Sequence, residues 1–143
     1  MGKRLVVEQH VQADPSRVFA AWTSAEGLAT WWWPHLPDTT YEVDSVVGGR
    51  YEVRAESAGF GACGQFLELD EPNRIRMTWF WMNDLAGEPE DFGDRVTVTF
   101  TEVDGGTRLV LEHNLPDIAG EGEDIRHGWQ DVLGRLAAVC GAA

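Results

Sequence analysis

Basic residues are scarce in this chain. Lys and Arg number 11 against 24 Asp and Glu, a formal net charge of −13. Nucleic-acid binding needs a basic face that displaces counterions, and docking on an anionic membrane needs the same sign of charge, so neither is expected. The acidity reads as solubility first and as recruitment of a basic partner second. Cysteine is equally sparse. Cys63 and Cys140 lie far apart with no CxxC spacing, which gives neither a zinc site nor a disulfide framework and makes both small apolar fillers. Long apolar runs are missing too. The early one, Leu5 to Val7, falls short of a signal core or a membrane span, and a reduced, cytoplasmic setting is the expectation. There is no GxSxG, no P-loop and no GxGxxG with an acidic partner. Glu88, Glu90 and Asp91 form a polar loop run that reads as a solvated face, not an acid–base pair. With no repeat, low-complexity tract or linker, 143 residues suit one domain spanning 1–143.

What the chain has instead is tryptophan. Trp31, Trp32 and Trp33 are consecutive and precede Pro34. Successive helical side chains point about 100° apart, so a helix buries only part of such a run. A buried indole N–H also needs a partner. The run therefore closes a helix and leaves at least one indole at an edge, a mouth or a partner surface.

Around it the pattern alternates between the two regular periods. Leu5 to Val11 reads as a strand. Asp14-Pro15 starts a helix with an oxygen-bearing cap and a proline in the first turn, and Val18, Phe19 and Trp22 share one face of it. Thr23 or Ser24 caps a second short helix that carries Leu28 and Trp31 or Trp32 and ends at Pro34 and Pro37. Strands follow at Tyr41–Val47 and Arg50–Glu56, joined at Gly48-Gly49. Gly59, Gly61 and Gly64 read as a loop before a strand over Gln65–Asp70. Glu71-Pro72-Asn73 is a tight turn. Arg74 to Trp81 alternates, with Ile75, Met77, Trp79 and Trp81 on one side. Residues 82–94 read as a long loop. Val96, Val98 and Phe100 share a face, as do Leu109, Leu111 and His113 beyond the turn at Asp104-Gly105-Gly106. Ile125, Trp129, Val132, Leu133, Leu136, Val139 and Cys140 form an apolar helical stripe, with Glu121, Glu123 and Asp124 at its N-terminal end. The expected fold class is α+β: a curved antiparallel sheet of about six to seven strands, two short helices after the first strand, and a long C-terminal helix over the sheet.

Four blocks in this order resemble a known family. They are VVEQHVQADPSRVFAAWTSAEGLATWW, GGRYEV, the pair EPNRIRMTWFW and VTVTFTEVDGGTRLVLEHN, and HGWQDVLGRLAA. Together they resemble the SRPBCC superfamily (START-like, or Bet v 1-like) and, within it, the family named for activators of the heat-shock-protein-90 ATPase. The resemblance implies a helix-grip fold with a cavity between sheet and long helix, and no shared catalytic residue set. The chain departs from the family at Gln9, where an arginine is common, and at Trp33, where a glycine is common. The second change puts a large aromatic beside the implied cavity mouth.

Met77, Trp79, Trp81, Phe100, Leu111 and Trp129 are expected to face the space between sheet and helix, with Tyr51 adding a phenol and Trp33 the mouth. Each reads as plain core by itself; together they read as an apolar pocket. His113 is the polar candidate, weighed against a histidine bonded to backbone at the sheet margin. His127 falls off the stripe, and His10 and His35 have no ligand spacing, so no metal, cofactor or catalytic residue is assigned. The leading expectation is a non-enzymatic binder of a small hydrophobic molecule. A cochaperone acting on a heat-shock chaperone ATPase is the alternative, then a cyclase- or hydrolase-like enzyme in the same cavity. A second copy of the chain stays open as a partner.

Overall fold

The computed structural model describes residues 3–82, 85, 94–115 and 122–141. The order of elements is β1 (Lys3–Val11), α1 (Pro15–Trp22), α2 (Ala25–Trp31), β2 (Thr39–Val43), β3 (Arg50–Ala55), β4 (Phe60–Asp70), β5 (Arg74–Thr78), β6 (Phe80–Met82), β7 (Arg95–Val103), β8 (Gly106–Leu115) and α3 (Gly122–Gly141). Every described strand pair is antiparallel. Seven strands run edge to edge as β1-β8-β7-β5-β4-β3-β2, and the short β6 pairs β4 off this path, making eight.

Local chemistry sets the helices. The Asp14 carboxylate accepts from the Arg17 backbone N–H at 2.9 Å, and Pro15 occupies the first turn. Ser24, not Thr23, caps α2 by accepting from Gly27 N–H at 2.9 Å. Along α3, Trp129, Val132, Leu133, Leu136 and Cys140 are buried, while Val139 lies at the stripe's margin and is exposed. The helix packs on β1 and α2, and Arg126 Nη1 donates to the Val6 carbonyl at 2.9 Å.

Three strand expectations are corrected. The strand expected to reach Val47 stops at Val43, because the chain turns at Asp44: Val46 N–H donates to the Asp44 carbonyl at 2.9 Å and Gly49 N–H to the Val46 carbonyl at 2.8 Å. Gly61 and Gly64 are not loop residues but lie inside β4. A Cβ on Gly64 would sit 2.2 Å from the Thr78 carbonyl oxygen, so glycine there permits close approach of two strands. The stretch Arg74–Trp81 is two strands. The Thr78 hydroxyl accepts from Gln65 N–H at 2.8 Å and interrupts the ladder, but the register against β4 is the same on either side, with Phe66 opposite Met77 and Cys63 opposite Phe80. Trp79 and Trp81 thus share a face, stacked at 6.5 Å between centroids, but Trp79 is buried and Trp81 is 42% exposed. Of the expected 82–94 loop, only Met82, Leu85 and Asp94 are among the described residues. The side chains of the acidic residues at the start of α3 lie outside them as well.

Register aligns the inner face in rows across the sheet. One row is Phe66, Met77, Val96, His113 and Leu5; the next is Leu69, Ile75, Val98, Leu111 and Val7; a third contains Phe100, Leu109 and Gln9. Residues two apart on a strand share a face, so the first and third rows are the two ends of one core.

Candidate functional site

His113 sits at one end of that core, fully buried. Its partners are side chains, not the backbone carbonyl considered from sequence. Trp129 Nε1 lies 3.0 Å from His113 Nδ1, and Asp94 Oδ2 lies 2.7 Å from His113 Nε2. An indole nitrogen can only donate. The imidazole therefore accepts at Nδ1 and donates from Nε2 to the carboxylate, which fixes its tautomer. Asp94 comes within reach because Val96 pairs directly with His113 and Asp94 lies two residues before Val96, on the same side of the strand. Both ring nitrogens are thus engaged. The arrangement positions the Trp129 ring and offers no vacant lone pair for general-base work.

Around this core of hydrogen bonds the tryptophans form one connected assembly. Trp129 lies 4.9 Å from Trp79 and 5.5 Å from Trp32 between ring centroids, and Trp22 stacks on Trp129 at 6.2 Å. Trp32 stacks on Trp79 at 5.9 Å and meets Trp31 at 5.3 Å. Trp31 ties α2 to α1 by donating from Nε1 to the Ala21 carbonyl at 3.0 Å. Tyr41 Oη donates to the Trp32 carbonyl at 2.6 Å. Tyr51 Oη donates to the Thr78 carbonyl, one residue before Trp79. Burial, then the negative ends of Cys63 and Asp94, push the Tyr51 phenol well above its ordinary 10.0. Burial also pushes the Cys63 and Cys140 thiols up, which keeps both as thiols.

The structure sorts the residues singled out from sequence into three places. His113, Trp79 and Trp129 form the assembly, with Met77 in the same row as His113 and Tyr51 braced beside Trp79. Leu111 is buried one row away, and Phe100 is two rows away, where it packs edge-on against Phe19 at 5.6 Å. Trp33 and Trp81 form an outer triad with Phe60, joined to the inner assembly by Trp33 against Trp32 at 6.0 Å and Trp81 against Trp79 at 6.5 Å. Trp33 lies 5.0 Å from Phe60 and 5.9 Å from Trp81, and Phe60 stacks on Trp81 at 5.4 Å. Trp33 adopts φ 57°, a left-handed backbone that suits the glycine common in the resembling family better than a bulky side chain. Sequence reasoning missed Asp94, whose role depends on long-range register. It also read Trp22 only as a helix face and Trp32 only as part of the run.

The class of protein is a helix-grip domain: a curved antiparallel sheet, two short helices and a long C-terminal helix, with an aromatic assembly between them. The chain belongs to the Activator of Hsp90 ATPase homolog 1-like protein family, whose model matches residues 12–141. No curated protein matches it. Among solved structures it is similar to a protein from Chromobacterium violaceum, with 30% identity over 98% of each chain and TM-score 0.75. It is also similar to an AHSA1-like protein from Aeromonas hydrophila, with 25% identity, TM-score 0.74, and 95% of this chain and 90% of that one covered. An HSP90 activator from Plasmodium falciparum is similar at 25% identity and TM-score 0.73, covering 98% and 97%. Among the described residues, no helix is long and apolar enough to cross a membrane, and no group of three or more His, Cys, Asp and Glu could hold a metal.

Proposed function

We propose that this chain binds a small, largely apolar molecule among the aromatic rings between the sheet and α3. The observation that carries the reading is the continuity of Trp22, Trp32, Trp79 and Trp129 with a polar device, His113–Asp94, at its centre. Binding sites are mostly apolar surfaces with a few placed polar groups, and this end of the core has that composition. Met77 and Tyr51 line the same end. The outer triad of Trp33, Phe60 and Trp81 stands at the edge as the entrance. Two free, buried cysteines suit a reducing, cytoplasmic compartment. Native mass spectrometry of freshly purified protein tests the reading. A retained small-molecule mass, lost on unfolding, is expected; titration with apolar probes that leaves tryptophan emission unchanged would refute it.

The second reading is a cochaperone. It is favoured by the similarity to the Plasmodium falciparum HSP90 activator over nearly the whole of both chains, and by an outer aromatic triad on the surface. Stimulation of a chaperone ATPase by this chain, abolished by Trp81→Ala and retained in an inner-assembly variant, would favour it over the ligand reading.

A further inference from the structure

Five buried indoles meet at the inner assembly, and four of them divide by what their N–H groups do. Those of Trp31 and Trp129 donate to the Ala21 carbonyl and to His113. Those of Trp22 and Trp32 are buried and have no hydrogen-bond partner among the described residues. Trp22 and Trp32 are 3% and 2% exposed, and their rings are neighbours at 6.2 Å. Buried donors are nearly always paired, and leaving one unpaired is costly. Two such orphans lie on neighbouring rings of one aromatic assembly. Both are shut off from solvent, so an acceptor reaches them only by entering the assembly.

We propose that the indole N–H groups of Trp22 and Trp32 are the hydrogen-bond anchors of the bound molecule, which is a neutral, largely aromatic compound bearing a carbonyl oxygen. This rests on the ligand-binding reading above. Aromatic character follows from the walls: a flat ring system replaces indole–indole contacts with equivalent stacking. The carbonyl follows from the donors, since an indole can only donate. Neutrality follows from charge. An anion brought to these rings would approach the Asp94 carboxylate, which is bonded to His113 beside Trp129, in a chain of net charge −13. The ring geometry offers one competing account. The Trp22 and Trp32 planes meet at 75°, an edge-to-face arrangement in which an N–H can rest on a neighbouring ring face.

A matched probe pair separates these accounts on the wild-type protein. Benzophenone and diphenylmethane share two phenyl rings and differ in the carbonyl oxygen. Benzophenone is expected to bind about tenfold more tightly, the size of one net hydrogen bond. It should move the indole N–H resonances of Trp22 and Trp32 downfield, with Trp22→Phe and Trp32→Phe providing the assignments and each narrowing the difference. The anionic 4-benzoylbenzoate should bind more weakly than benzophenone. Equal binding of the ketone and the hydrocarbon, with both indole signals unmoved, would overturn the anchors while leaving the binding site standing. Tighter binding of the anion would overturn neutrality. Failure of both neutral probes to bind would overturn the ligand reading itself.

Discussion

The two ends of the inner sheet face are built from the same strands and yet differ in kind. At the far end, Phe100 pairs with Leu109 across β7 and β8 and packs on Phe19, and Val11 is fully buried nearby in sequence order on β1. The buried Thr107 there is satisfied by donating to the Ala13 carbonyl at 2.7 Å. At the near end, a fully buried histidine, a buried carboxylate and a set of indoles share the space. Burying polar groups costs free energy unless each is paired. Apart from the paired Thr107, the far end is built without them. The near end keeps them, and leaves two indole donors unpaired. On the ligand-binding reading proposed above, that contrast assigns binding to the His113 row and packing to the Phe100 row.

The largest test of the contrast is Trp129→Ala. Removing a buried tryptophan costs about 3–5 kcal/mol, and here it also strands the Nδ1 acceptor of His113, adding about 1–3 kcal/mol. Denaturant melts should show a loss of that combined order together with loss of probe binding. A loss below about 1 kcal/mol, typical of a surface position, would mean that α3 does not anchor the assembly. Phe100→Ala comes next. It should cost about 3–5 kcal/mol as a large-to-small core change while leaving probe affinity at the near end intact. If Phe100→Ala abolished probe binding in protein shown to be folded, the two ends would be one cavity and the contrast would collapse.

Much of this fold is legible in the sequence, because the relevant signals are local. Asp14-Pro15 and Ser24 act within one turn of their helices, the alternation of Val96, Val98 and Phe100 reports one strand's own faces, and the α3 stripe reports one helix. The near end is less legible, because its decisive contacts are between strands. Nothing around Asp94 announces a partner until the β7–β8 register sets Val96 opposite His113. Trp81 obeys the period-two pattern of Ile75, Met77 and Trp79 and stacks on Trp79, yet it is 42% exposed, because alternation reports a face and not what covers it. Glycines mislead in the same way: Gly64 resembles turn punctuation in sequence, but in space it clears room for the Thr78 carbonyl and the Tyr51 hydroxyl.

Tyr51→Phe sharpens the contrast with a smaller effect. Loss of the bond to the Thr78 carbonyl should cost about 1 kcal/mol near neutral pH. The pH dependence is more specific. The folded phenol is held neutral well above 10.0, the ordinary value at which the unfolded chain ionises. Above that pH the unfolded state binds fewer protons than the folded one, so stability falls as pH rises. Below the ordinary value no such loss occurs. Melts from about pH 9 to pH 11 should therefore show a steeper alkaline decline in the wild type than in Tyr51→Phe. Parallel declines would show that Tyr51 is not held neutral by its surroundings. Tyr41, raised by burial alone, remains in both proteins and supplies a common background.

In Trp33→Gly two stability terms oppose. A non-glycine residue in the left-handed region costs about 1–2 kcal/mol, and Trp33 is there at φ 57°. Glycine relieves that strain. Against this, the half-buried ring touches Trp32, Phe60 and Trp81, and aromatic pairs of this kind contribute about 0.5–1.5 kcal/mol each beyond their buried area. The flexible glycine also raises the entropy of the unfolded chain. The net loss should stay below that of Trp129→Ala, whose loss no relieved strain offsets. Stopped-flow tryptophan quenching by benzophenone then asks what the ring is for. If Trp33 covers the entrance, association and dissociation should both quicken while the equilibrium affinity changes little, because the inner anchors are untouched. If affinity falls in parallel with the loss of the ring, Trp33 belongs to the binding surface, and the boundary between inner assembly and outer triad must be redrawn to include it.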